Sequence, residues 1–251
     1  MTAGLHLFGI VGLPEIVPGA DLPTLIIEAA NAAGTPLQSG DVLVVGSKIV
    51  SKSEGRVVDL DTVVPSAFAR QWSARWDKDA RLIELVLLES RRVVRQVGPI
   101  LITETHHGFV CANSGVDQSS SGGLGRALLL PVDSDASARG IRAALAGAGL
   151  DVAVIISDTF GRPWREGQTD IAIGIAGMSA ITSYIGQHDP HGHEFRVQAL
   201  CTADELAGAA ELVKGNISRI PVALVRGFEW TPDDSATMAP VIRDASRDLF
   251  L

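Results

Sequence analysis

The run VAVII at residues 152–156 limits most what this chain can fold into. Five consecutive apolar residues read as a buried strand. The run stops at Ser157, Asp158 and Thr159, and Gly161, Arg162, Arg165, Glu166 and Gly167 follow at once. Polar chemistry is commonly placed where strands open onto loops. A carboxylate beside hydroxyls at such a point, with glycines and arginines behind it, can hold a cation and anionic oxygens together. The same letters also describe a strand-to-turn junction in which Asp158 caps a helix. On this segment alone both readings are open.

Composition narrows the class. The chain has 251 residues, 46% of them hydrophobic, and a formal net charge of −8. Its mean hydropathy of +0.25 belongs to a globular protein rather than a disordered one. An acidic surface repels nucleic-acid backbones and anionic membranes, so neither is expected as a partner. An anionic small molecule would need a local basic pocket or a metal ion. Cys111 and Cys201 sit in apolar contexts and read as small buried hydrophobes; two isolated cysteines build no zinc motif. The opening MTAGLHLFGIVG has no basic leader, and no apolar run approaches the roughly 18 residues of a membrane span. A soluble, cytoplasmic protein is expected.

Strand patterns fall at residues 5–11, 42–45, 99–103, 109–112, 128–131, 152–156, 194–200 and 222–225. Helical spacing falls at residues 22–33, 67–76, 80–97, 134–148, 203–213 and 236–248. The alternation lacks the regular period of a barrel and shows no internal repeat, so the fold class is α+β or mixed α/β. One domain over residues 1–251 is expected, with two closely packed subdomains as a variant. Breaks could fall at residues 118–125, QSSSGGLG, or at residues 186–192.

Several segments carry chemistry. No P-loop is present, and SGGLGR at residues 121–126 is not a dinucleotide fingerprint. In VVGSKIVSKSEGR, residues 44–56, a strand runs into Ser47, Lys48 and Lys52, which would suit an anion or a solvated strand edge. NSGVD, residues 113–117, places Asp117 just after an apolar strand, as Asp158 is placed. Two such aspartates could serve a hard divalent ion together with phosphate oxygens. His188, His191 and His193 in HDPHGHEF match no familiar zinc spacing and read as a turn entering a strand. Of the tryptophans, Trp164 is set apart by lying inside the opening motif.

Seven segments occur together in one order: GLPE at 12–15, SKIVSKSEGR at 47–56, NSGVD at 113–117, SDTFGRPWREGQTD at 157–170, DPHGHE at 189–194, ADELAGAAELVKG at 203–215 and PVALVRG at 221–227. With them the chain resembles the coenzyme F420-0:L-glutamate ligases, the γ-glutamyl ligases of deazaflavin coenzyme biosynthesis, over nearly its whole length.

The resemblance implies a mixed-sheet fold that forms an intertwined homodimer. It implies GTP-dependent activation of the terminal carboxylate of coenzyme F420-0 as an acyl phosphate, which the amino group of L-glutamate then displaces. Divalent ions, Mg²⁺ or Mn²⁺ and two in number, are implied with K⁺ as a monovalent companion. Asp117, Asp158 and Thr159 match the metal-binding positions; Asp117, Asp158 and Lys52 carry the catalytic role. Leu13, Pro14, Glu15, Ile16, Ser47, Lys48 and Lys52 match nucleotide-binding positions, as do Lys214, Gly215 and Asn216. Ser120 stands where relatives often carry asparagine, and a hydroxyl replaces only part of an amide's hydrogen bonding. Some relatives carry a C-terminal flavin-reductase segment, so a chain ending at Leu251 is either free-standing or a piece of a longer fusion. Arg162, Arg165 and Glu166 have no implied role; one of the two arginines could steer an anionic substrate. A metal-dependent nucleotide phosphohydrolase and a non-catalytic nucleotide- or deazaflavin-binding module are the rival readings.

Overall fold

The computed structural model describes residues 4–119 and 121–248; Ser120 lies outside the described residues. In chain order the elements are β1 (His6–Gly9), α1 (Leu22–Ala32), β2 (Val42–Gly46), α2 (Ser47–Ser53), β3 (Val57–Asp59), α3 (Ala67–Trp76), α4 (Ala80–Leu88), β4 (Ser90–Val97), β5 (Ile100–Thr105) and β6 (Val110–Ala112). There follow β7 (Arg126–Leu128), α5 (Ser134–Gly147), β8 (Ala153–Arg162), β9 (Arg165–Met178), β10 (Thr182–Ser183), β11 (Ala199–Leu200), α6 (Thr202–Lys214), β12 (Val222–Arg226) and β13 (Pro232–Asp233).

A six-stranded sheet in the order β1-β12-β2-β8-β9-β13 forms the centre. Its β2–β8 pair is parallel and the other pairs are antiparallel, so the mixed α+β class expected from the alternation holds. Val42 to Val45, Val152 to Ile156 and Val222 to Val225 are all fully buried, as apolar runs in central strands should be. α5 packs on β8 and β9, and α6 packs on β1, β9 and β12. A three-stranded sheet β4-β5-β6 carries α3 and α4, with Trp72, Ile83, Val86 and Leu101 as its own small core.

Several elements depart from the sequence pattern. The helix expected over residues 80–97 stops at Leu88, where the leucine spacing ends. Val93, Val94 and Val97 instead join β4, because β-branched residues suit a pleated surface and Gly98 (φ +55°) allows the tight turn into β5. The strand of residues 152–156 runs on to Arg162, since β9 offers it a ladder of backbone partners through residue 165. The strand of residues 194–200 shrinks to Ala199–Leu200. Residues 236–248 form no α-helix, only short turns at Ala239–Val241 and Ala245–Arg247. The strand of residues 128–131 is displaced to Arg126–Leu128.

Candidate functional site

The parallel pairing of β2 with β8 creates the site. Gly46 lies opposite Ser157, so Ser47 and Asp158 emerge side by side at one edge of the sheet. The Ser47 hydroxyl donates to the Asp158 carboxylate at 2.7 Å. The stretch of residues 44–56 is therefore not a solvated strand edge: the strand ends at Gly46 and the helix α2 begins at Ser47. Likewise Asp158 caps no helix, because it lies within β8.

Asp117 is brought to the same edge by a backbone bridge to Leu128, with reciprocal hydrogen bonds of 3.0 and 2.7 Å. Lys48 from α2 places its Nζ 2.6 Å from Asp117 Oδ2 and 2.8 Å from the Ser119 hydroxyl. The Ser119 amide in turn donates to Asp117 Oδ1 at 2.7 Å. These groups border a cleft of about 660 Å³ that Ser47, Lys48, Asp117, Asp158, Thr159 and Asn216 help to line. That volume lies within the range of small-molecule sites.

The two carboxylates differ electrostatically. Burial pushes the Asp158 carboxyl up to about 6; the Ser47 hydroxyl and the nearby Lys48 charge only partly oppose it, and Asp170 adds repulsion. Burial also raises Asp117, but the hydrogen bonds from Lys48 and Ser119 outweigh it and hold this carboxyl below its ordinary range. Cys111, on the cleft wall, is pushed up to about 12, first by burial and then by the charge of Asp158. A thiol so held is a poor nucleophile near neutral pH.

Beside the cleft lies a cluster in which Ser157, Asp170 and Lys214 are buried. Asp170 on β9 is 3% exposed, and its Oδ1 accepts the Thr159 hydroxyl at 2.6 Å. Its Oδ2 accepts the Ser157 hydroxyl at 2.9 Å and Lys214 Nζ at 2.6 Å. Lys214, at the end of α6, is 4% exposed and also donates to Ser157 Oγ at 2.7 Å. Asp170 is the last letter of the segment SDTFGRPWREGQTD. Only the β8–β9 hairpin reveals that it returns to face Ser157 and Thr159.

The structure thus gathers Ser47, Lys48, Asp117, Asp158, Thr159 and Asn216 around one cleft. It sets others apart. Lys52 pairs with Glu15 on the segment that also carries Leu13, Pro14 and Ile16; Ile16 is buried, and Gly19 of the same segment bonds to Ser53. Lys214 faces Asp170 rather than the cleft, and Gly215 ends α6 with φ +59°. Ser119 and Gln168 line the cleft without having been singled out in the sequence. Arg162 and Arg165 pair across the exposed end of the β8–β9 hairpin, beside the 77% exposed Trp164. In the histidine-rich turn, Asp189 accepts the backbone amides of His191 and His193 at 2.8 Å each. Among the described residues no group of three His, Cys, Asp or Glu side chains is arranged to hold a metal.

The sequence profile of the F420-0:Gamma-glutamyl ligase family matches residues 10–227. This chain belongs to that family. It is 40% identical to the coenzyme F420:L-glutamate ligase of Methanothermobacter thermautotrophicus over 250 residues, covering 98% of this chain and 99% of the relative. It is 41% identical to the protein of the same description from Methanopyrus kandleri, covering 94% and 93%. The Halobacterium salinarum relative is 40% identical, covering 92% and 90%. Among the described residues of this family member, no helix is long and apolar enough to cross a membrane.

Proposed function

We propose that this protein forms an amide between L-glutamate and coenzyme F420-0, at the expense of GTP and through an acyl phosphate. The observation that carries the reading is the convergence of Asp117, Asp158 and Lys48 on one cleft in a chain of this family. The donor chemistry fits a hard divalent ion, Mg²⁺ or Mn²⁺: two carboxylates, with Thr159 lining the same cleft, would leave coordination positions for phosphate oxygens. Asp158 fits best of all, because its buried carboxyl is held up to about 6 and a cation beside it would favour the ionised form. When bound, such ions would offset the repulsion between triphosphate and carboxylate and the charge that develops in transfer.

The chain's own groups divide the remaining work. Asp117, Asp158 and Thr159 would hold the cations. Lys48, now paired with Asp117, is within reach of anionic oxygens at the cleft mouth, and a lysine point charge suits a triphosphate. Lys52, Ser47, Asn216 and the segment of residues 13–16 complete the nucleotide contacts in this reading, with K⁺ as the monovalent companion. Lys214 contributes by pairing with Asp170, and Gly215 by turning the chain toward Asn216. A neutral Cys111 argues for phosphate activation over a thioester route.

A homodimer and a cytoplasmic setting belong to the same proposal. The three-stranded sheet exposes Val93, Val97, Ile100 and Val110, apolar surface that a second copy would cover. Both cysteines are free thiols, as suits a reducing compartment.

The test is direct: incubate the protein with GTP, Mn²⁺ or Mg²⁺, coenzyme F420-0 and L-glutamate, and read the product mass. A gain of one or more glutamyl units is expected. Release of phosphate from GTP that is independent of glutamate would select a phosphohydrolase instead.

A further inference from the structure

Asp170 is a buried carboxylate that the reading above uses only as a partner for Lys214. Its contacts give it a more specific task. We propose that Asp170 is a positioning residue that fixes the polarity of the Thr159 hydroxyl, making its oxygen an acceptor only toward the cleft and so a ligand for a divalent cation. This rests on the metal reading given under Proposed function.

The argument is one of proton accounting. A carboxylate only accepts, and a threonine hydroxyl has a single proton. That proton lies on the 2.6 Å bond to Asp170 Oδ1, which leaves Thr159 Oγ1 with lone pairs and no donor. Thr159 also lines the cleft, and on this proposal its Oγ1 is the acceptor presented there. The other half of the carboxylate is equally committed. Lys214 Nζ donates to Asp170 Oδ2 and to Ser157 Oγ, so the Ser157 proton is directed to Asp170 as well. Asp170, Ser157 and Lys214 are each at most 4% exposed, so no bulk water competes for these bonds. The sheet builds the contact deliberately. A bulge in β9 lets Ile156 face Gly174 while Ser157 faces Ala172, and this one-residue slip puts Asp170 opposite Thr159. Without it, Asp170 would face Phe160.

Carboxylates that orient metal ligands are typically worth about tenfold to a hundredfold in metal affinity. Mn²⁺ binding to the full chain should be followed by calorimetry and by paramagnetic resonance, with and without a non-hydrolysable GTP analogue. Asp170→Leu, which has no acceptor for the Thr159 hydroxyl, and Thr159→Val should each weaken Mn²⁺ binding by about tenfold to a hundredfold, whereas Thr159→Ser keeps it. The double variant Asp170→Leu/Thr159→Val should bind no more weakly than the worse single one, because both act through one oxygen. Asp170→Leu also strands Lys214, so Asp170→Leu/Lys214→Met serves as the folding control. It should regain the wild-type melting temperature and not the Mn²⁺ affinity. Recovery of both would overturn the proposal by making Asp170 merely structural. Unchanged Mn²⁺ affinity in Thr159→Val would overturn it too, even if the Asp170 variants fail to fold. Asp158→Asn is the reference: if it binds Mn²⁺ like wild type, the metal reading itself falls and this inference with it.

Discussion

Replacing Asp158 by asparagine should stabilise the metal-free protein while removing its function. Burial moves this carboxyl from 3.8 to about 6, so the folded chain holds the proton more tightly than the unfolded chain does. At pH 3 both states are protonated and the group contributes nothing. As pH rises past the unfolded value, the unfolded chain ionises first, and stability falls until the folded group ionises near 6. Above that the loss is complete. At about 1.4 kcal/mol per pH unit the full displacement corresponds to roughly 3 kcal/mol, and solvent entering the cleft reduces it to about 1–3 kcal/mol. Asparagine has no proton to lose, and its carbonyl still accepts from Ser47. In a chain of this length each kcal/mol moves the melting temperature by about 2–4 °C. Asp158→Asn should therefore melt several degrees above wild type at pH 8 in chelator and together with it at pH 3. Saturating Mn²⁺ should reverse the order, because only the wild type gains binding energy; at a thousand times Kd that gain is about 4.1 kcal/mol, more than the whole deficit. Differential scanning calorimetry at the two pH values decides the matter. A less stable asparagine variant at pH 8, or a difference independent of pH, would refute the reasoning.

Asp117→Asn should abolish ligation with little loss of fold: its pair with Lys48 is well exposed, so about 0–1 kcal/mol is at stake, read by urea denaturation beside the product assay. The carboxyl of Asp117 is held low, so what stability it adds is present at neutral pH and fades as acid protonates it. Lys214→Ala leaves Asp170 buried and unpaired and should cost about 3–5 kcal/mol, seen as a lowered denaturation midpoint. Gly174→Ala would put a methyl group 2.4 Å from the Ser134 carbonyl oxygen, and overpacking of this kind costs about 1–3 kcal/mol or more, visible as a lower melting temperature. Cys111 should resist iodoacetamide at pH 8 in the folded protein, with alkylation read by intact mass, since its thiol is held neutral.

Much of the framework was legible in the letters. The apolar runs at residues 42–45, 152–156 and 222–225 became central strands, because four or five such residues in a row, too few for a buried helix, fit inside a covered sheet. The helices capped by Asp21, Ser66 and Asp133 began where a side-chain acceptor could reach a free amide. Seven ordered segments named the family, which the 40–41% identities then bore out. Illegible were features that depend on a partner strand. The β-branched Val93, Val94 and Val97 are only a weak local signal over residues 89–97, and pairing with β5 is what makes them an edge strand. Nothing in the letters of residues 171–175 announces the bulge at Ile173.

The sequence alone therefore determined which residues were chemically able to act: Asp117, Asp158, Thr159, Ser47 and Lys48 all lie just beyond apolar runs. The tertiary structure decided which of them meet, and on what terms. Parallel pairing of β2 with β8 set Ser47 against Asp158, Lys48 reached across to Asp117, and one extra residue in β9 delivered Asp170 to Thr159. The reason is physical. Residue type fixes charge and hydrogen-bonding capacity, but register fixes separation, and both hydrogen bonds and desolvation depend on ångström separations that only the folded sheet supplies.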